Sequence, residues 1–318
     1  MGYDSSIYLN KETDIIEVKQ FLKILNYEEF EENYYFYNNN DSEEHFTGVT
    51  LNIIEENSEY LELHIRTTVW KTLYDNDYVN LTLKQISERF QGYFETEFGK
   101  NTIYEFDGVE RKDAEVGCFT VFRTFNNNMT KPSVFLQFLE HEEMKNPVPI
   151  EIPILNEMNP VSIGINFTIP YLISVLEEYL RSTYIVLLKY SENKKDIFKS
   201  SRIISEDLFE VSEGFSSAEK IVARTISFQN INGINSAFKK ISNDINLTNL
   251  LNSKKPENNY LERLENLIKF RHLIIHSNQT ISYYSTNDLK NDISLIFDIC
   301  DIFYDNLIKI YNWNPEKY

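Results

Sequence analysis

The stretch Asp292-Ile293-Ser294-Leu295-Ile296-Phe297-Asp298-Ile299-Cys300-Asp301-Ile302-Phe303-Tyr304-Asp305-Asn306-Leu307-Ile308-Lys309-Ile310-Tyr311 decides the fold of half of this chain. Ile293, Ile296, Phe297, Cys300, Phe303, Leu307 and Ile310 recur at steps of three and four, the period of one apolar helix face. Working backwards, Asn259 to Ile275 repeats the pattern with Leu261, Leu264, Ile268 and Ile275. Ser216 to Ile241 carries Ile221, Ile231, Ile234 and Phe238, and Ser216 with Glu219 reads as its capping box. Tyr171 to Tyr190 places Leu172, Val175, Leu176, Tyr179, Thr183, Val186, Leu187 and Tyr190 on one face. Four such stripes bury one another only by packing together, so residues 161–318 are expected to form an all-α bundle of four-helix type.

The preceding residues change period. Gly2 to Asn10, Tyr34 to Tyr37, Thr47 to Glu55 and Tyr60 to Val69 read as strands. In the last, Leu61, Leu63 and Ile65 alternate with Glu62, His64 and Arg66. Glu56-Asn57-Ser58 suggests a hairpin turn. Asp14 to Leu25 and Asp77 to Gln91 read as helices, the first capped by Asp14. Gly117 to Phe125 and Ser133 to Leu139 complete the expected strands, joined by Asn126-Asn127-Asn128. Residues 1–145 are thus expected to be an α+β domain with a largely antiparallel sheet. Pro147, Pro149, Pro153 and Pro160 make 146–160 an extended linker or edge strand, and the domain boundary is placed there.

Charge divides at the same place. Residues 1–160 hold 13 Lys+Arg against 30 Asp+Glu, while residues 161–318 hold 18 against 19. The first part repels nucleic acid; the second does not. No apolar run is expected to reach membrane-spanning length, and no secretory leader is evident. Cys118 and Cys300 read as buried free thiols, and a cytoplasmic location is expected. Phe119, Phe122 and Phe125 read as core or protein-contact residues rather than a stacking platform. No phosphate-loop, dinucleotide-binding or serine-hydrolase pattern occurs.

The chemistry concentrates in Lys269-Phe270-Arg271-His272-Leu273-Ile274-Ile275-His276-Ser277-Asn278. A guanidinium binds phosphate oxygens bidentately and stays charged. An imidazole exchanges protons near neutral pH. RNA brings its own nucleophile, the 2′-OH. Cleavage then needs a base, an acid and a cation, and no metal or cofactor. Residues five apart on a straight helix diverge by about 140°. Arg271 and His276 therefore share a face only if the last turn tightens, with Ser277 to Thr280 as the exit.

Arg271 followed by His272, with His276 five positions after the arginine, resembles the R-x4-6-H signature of HEPN domains. Glu177-Glu178-Tyr179-Leu180-Arg181 and Ser227-Phe228-Gln229-Asn230-Ile231 resemble further parts of that family. The resemblance spans roughly residues 162–312 and implies a paired helical bundle acting as a metal-independent endoribonuclease. It implies Arg271 and His276 as the catalytic pair with His272 beside them, RNA as substrate, and a homodimer that completes the cleft. Glu177 and Asn278 are supporting candidates: Glu177 either orients Arg271 or His276 or is a solvated helix acid. Asn278 stands where some family toxins carry a modifiable tyrosine. The outcome implied is toxic or antiviral (abortive infection). The acidic domain would then sense a trigger, restrain the nuclease, or meet a basic protein or an antitoxin.

Two plainer readings stand beside this one. Arg271 pairs with Glu265 or another acid while His276 caps its helix. In the other, the bundle is a non-catalytic dimerisation module whose acidic partner domain binds a basic protein. His272 and His276 also have the spacing of a metal pair, but no Glu lies between them as in H-E-x-x-H.

Overall fold

The computed structural model describes residues 2–37, 48–54, 59–68, 71, 73–104, 112–146, 152–213, 215–253 and 259–314. The chain divides into two units, Met1–Arg111 with Asn314–Tyr318, and Lys112–Trp313. An antiparallel sheet with helices is followed by a helical region, the α+β then all-α order expected.

The first unit runs β1 (Asp4–Asn10), α1 (Ile15–Ile24), β2 (Tyr27–Glu31), β3 (Tyr34–Tyr37), β4 (Val49–Ile54), β5 (Tyr60–Thr67), α2 (Leu73–Arg89), β6 (Tyr93–Thr96) and β7 (Gly99–Lys100). The seven strands lie in the order β2-β3-β4-β5-β1-β6-β7, every neighbouring pair antiparallel. Ile7 opposes Leu63 across β1 and β5. Leu61, Leu63 and Ile65 are buried with Ile7, Leu9, Val18, Leu22, Val79 and Leu83, so one sheet face and both helices share a core. Asp14 caps α1 by accepting from the Ile16 amide. The hairpin turn expected at Glu56-Asn57-Ser58 lies outside the described residues.

The second unit begins with α3 (Asp113–Lys145), where the sequence suggested two strands and the tail of the sheet domain. Cys118, Phe122, Phe125, Met129, Pro132, Leu136 and Leu139 are all buried along it. They step by four and three alternately, a helix period that continues through both the asparagine triplet and Pro132. The expected boundary at 146–160 therefore moves to residue 111. Within the former linker, α4 (Pro153–Glu157) is a short helix rather than extended chain. α5 (Pro160–Lys189) follows, with Asn159 as N-cap and Pro160 in its first turn, where a missing N–H costs nothing. The remaining helices are α6 (Lys194–Ser200), α7 (Ser205–Ser212), α8 (Ala218–Arg224), α9 (Ile231–Ile241), α10 (Leu247–Ser253), α11 (Tyr260–Ser277) and α12 (Thr286–Tyr311). The single helix expected over 216–241 is broken. Ser217, not Ser216, caps α8, and Asn230 caps α9 by accepting from the Asn232 amide. Glu219, expected to close a capping box, instead pairs with Lys194.

α5 is the central rod, packed against α3, α11 and α12. Gly164 permits its close approach to α3: a Cβ there would meet Leu139 Cδ2 at 2.6 Å. Phe122 stacks on Tyr304 of α12, and Phe125 meets Tyr179 of α5. Phe119, Phe122 and Phe125 are thus core residues, and Cys118 and Cys300 are buried and outside any disulfide. Among the described residues, α5 is long and apolar enough to cross a membrane, contrary to the expectation for any segment. In the bundle, 67% of that apolar window is buried.

Candidate active site

α11 carries the Arg271–His276 stretch and is held at both flanks. Towards its start, Arg263 donates to the Asn291 carbonyl and stands 4.0 Å from Asp292 of α12. Asp292 also accepts from the Tyr284 hydroxyl at 2.8 Å, and the Tyr284 ring meets Phe270 edge-on. At the C-terminal end, Asn278 adopts the left-handed conformation (φ 49°), and the amides of Asn278 and Gln279 both reach the Leu273 carbonyl. That is a Schellman-type stop, which asparagine tolerates better than most residues. Asn278 thus terminates the helix. The chain beyond is pinned by Asn166 of α5, whose amide donates to the Ile281 carbonyl and accepts from the Ile281 amide.

Between these anchors α11 remains α-helical through His276, so the last turn does not tighten to bring Arg271 and His276 onto one face. The roughly 140° divergence of an ideal helix applies. Arg271 is only 17% exposed at its side chain and turns inward to α5, whereas His272 and His276 are exposed. The two imidazoles, one turn apart, lie 4.7 Å centre to centre. Within one chain the structure therefore joins His272 with His276 and Arg271 with Glu177.

Glu177 is 7% exposed, so it is not a solvated helix acid. Its Oε2 accepts from Gln229 Nε2 at 3.2 Å, and its Oε1 stands 3.8 Å from Arg271 Nε. The partner of Arg271 is this acid and not Glu265. The contact is ionic but too long for a hydrogen bond, and both facing atoms are buried without a hydrogen-bond partner. Burial raises the Glu177 carboxyl above the ordinary glutamate range; Arg271, the Gln229 hydrogen bond and Arg181 oppose that rise without cancelling it, and Glu178 adds to it. On the outer side of α5, Glu178 accepts from Arg181 at 2.7 Å and from Ser182 at 2.7 Å.

Gln229 is the site residue that sequence reasoning did not single out. It sits in the break between α8 and α9, where no periodicity marks a side chain as inward. Among the described residues, no group of three or more His, Cys, Asp or Glu is arranged to hold a metal ion. Comparison with protein-family models, with curated proteins and with solved structures returns no match for this chain.

Proposed function

We propose that this chain is a metal-independent endoribonuclease of HEPN type that works as a homodimer through α11. Its outcome is toxic or antiviral in the cytoplasm. The observation that carries the reading is the Arg271–Glu177 contact. A pair kept for stability alone gains most by closing to hydrogen-bond distance, because desolvation is otherwise poorly offset. Here the carboxylate stands 3.8 Å from Arg271 Nε, and neither facing atom is hydrogen-bonded. Glu177 and Gln229 position the guanidinium; Arg271 binds the scissile phosphate.

A second copy supplies what one helix cannot present on a single face. Arg271 of one protomer faces the histidine pair of the other, and two such clefts form about the twofold axis. One imidazole takes the proton of the 2′-OH as its oxygen attacks phosphorus. The other gives a proton to the departing 5′-oxygen, leaving a 2′,3′-cyclic phosphate. Each positioned proton-transfer group is worth about 10²–10⁴-fold. The first unit, with 9 Lys+Arg against 23 Asp+Glu over residues 1–111, senses the trigger or restrains cleavage through a basic partner.

The test is RNA cleavage in excess EDTA by the full chain, Arg271→Ala and His276→Ala. Each variant loses at least about 100-fold while the dimer persists. Undiminished cleavage by both variants would overturn the assignment of Arg271 and His276, and absence of cleavage by the full chain would leave the bundle as a non-catalytic interaction module.

A further inference from the structure

We infer that a cavity between α6, α7, α8 and α9, remote in sequence from the Arg271–His276 stretch, is a binding site for a small amphipathic organic acid. The cavity is half open to solvent and offers about 520 Å³. That lies within the range of small-molecule sites, about 300–1,000 Å³. Its walls are branched and aliphatic, with Ile197 from α6, Val222 from α8, and Ile204 and Ile226 from the connections. Such walls suit a flexible apolar body.

Its polar groups select the charge. Arg202 and Lys240 both line the cavity, are exposed, and have no ion-pair partner among the described residues. Two unmatched cations converging on one hollow stand out in a chain of net charge −18. The single lining acid, Asp207, accepts from the Ile204 amide. The lining hydroxyls of Ser200, Ser201 and Thr225 already donate to the carbonyls of Ile197 and Val222. Donors for an anion are therefore left to Arg202 and Lys240.

Tyr184 of α5 also lines the cavity. It is wholly buried, and its hydroxyl has no hydrogen-bond partner among the described residues. An unmatched buried hydroxyl is costly, and a ligand carrying a hydrogen-bonding atom along its apolar body relieves it. The α7 wall can adjust to such a ligand without disturbing the core, because none of its residues is buried.

Calorimetric titration of the full chain with decanoate, 10-hydroxydecanoate and decyltrimethylammonium tests the site without recourse to RNA cleavage. Decanoate should bind once per chain, and the cation of equal length at least about tenfold more weakly. Arg202→Glu with Lys240→Glu, both at exposed positions, should weaken decanoate by at least about tenfold. Ile226→Trp should fill the cavity and abolish binding with thermal unfolding unchanged. The hydroxylated acid should bind more tightly than decanoate to the natural chain but not to Tyr184→Phe. Absence of decanoate binding, equal binding of the cation, or undiminished binding by the doubly charge-reversed variant would overturn the assignment. Indifference to the added hydroxyl would remove Tyr184 from it.

Discussion

Arg271 Nε and Glu177 Oε1 stand 3.8 Å apart between α11 and α5, each buried and neither hydrogen-bonded. Burial outweighs the arginine, so the Glu177 carboxyl titrates above its ordinary range. A raised carboxyl contributes stability that is fully present below the unfolded-state pKa and is lost as pH rises through the folded-state value. Arg271→Ala removes the opposing charge, moves that loss to higher pH and makes it steeper. Glu177→Ala instead strands the largely buried guanidinium of Arg271, at a cost of about 1–3 kcal/mol at pH 7. Urea unfolding at pH 5 and pH 8 separates the two. A pH-independent effect of Arg271→Ala would show the pair to be uncoupled.

The divergent faces of Arg271 and His276 make a specific demand on the proposed dimer. Arg271→Ala and His276→Ala should each be inactive alone. Mixed in equal amounts after exchange of protomers, they should recover activity, because roughly half the dimers regain one complete cleft. No recovery, with exchange verified by mass, would place both groups of a working cleft in one protomer.

The bundle was legible from its outer helices inward, and the failures have one physical origin. α12 shows a single apolar stripe, and the period gave its type; in α11, of the expected inward positions Leu261, Leu264, Ile268 and Ile275, only Leu264 is fully buried and Ile275 is exposed. α3 was misread because Asn126-Asn127-Asn128 and Pro132 resemble turn chemistry, while Phe119, Val121 and Phe125 favour strands. A helix packed on several sides overrides both tendencies. The signal that finds it is the four-three alternation from Cys118 to Leu139, which no strand produces. For the candidate site, the helix that carries Arg271, His272 and His276 was legible. The partner of Arg271 was only half so: Glu177 stood among the candidates, but Gln229 gains its role solely from the tertiary break between α8 and α9.

Asn166 joins α5 to the chain leaving α11 through two hydrogen bonds to Ile281, at 3.2 and 2.9 Å. Asn166→Leu preserves size but leaves a buried amide and a buried carbonyl unmatched. It should destabilise the unit by about 2–4 kcal/mol. RNA cleavage should fall with unfolding held negligible, because the exit after His276 is released. Full activity at low temperature would show that this exit does not position the histidines.

Asp292 is raised to about 6, burial being the largest cause, against opposition from Tyr284 and Arg263. Its stability contribution is fully present below about 3.8, the ordinary aspartate value, and is lost as pH rises through about 6. Asp292→Asn removes the ionisation while keeping an acceptor for Tyr284. The variant should match the natural chain near pH 4 and exceed its stability at pH 7.5 by up to about 3 kcal/mol. A variant less stable than the natural chain at pH 7.5 would mean that the Arg263 contact outweighs burial.

Truncation tests the domain boundary and the proposed restraint together. A cut at residue 150, where the prolines cluster, would delete α3 and with it Cys118, Phe119, Phe122, Phe125, Met129 and Leu139 from the core around α5 and α12. Burial of each large apolar side chain stabilises by about 1.5–3 kcal/mol. Their combined loss is comparable to the whole stability of an ordinary domain, about 5–15 kcal/mol. That fragment should therefore fail to fold, and its inactivity would say nothing of restraint. A cut after Arg111 keeps every described helix of the second unit and removes residues carrying 9 Lys+Arg against 23 Asp+Glu. It should show a cooperative helical melt by circular dichroism and cleave RNA faster than the full chain, most of all at low salt where the acidic residues repel the substrate furthest. A folded fragment with unchanged cleavage would leave the first unit a role in sensing but none in restraint.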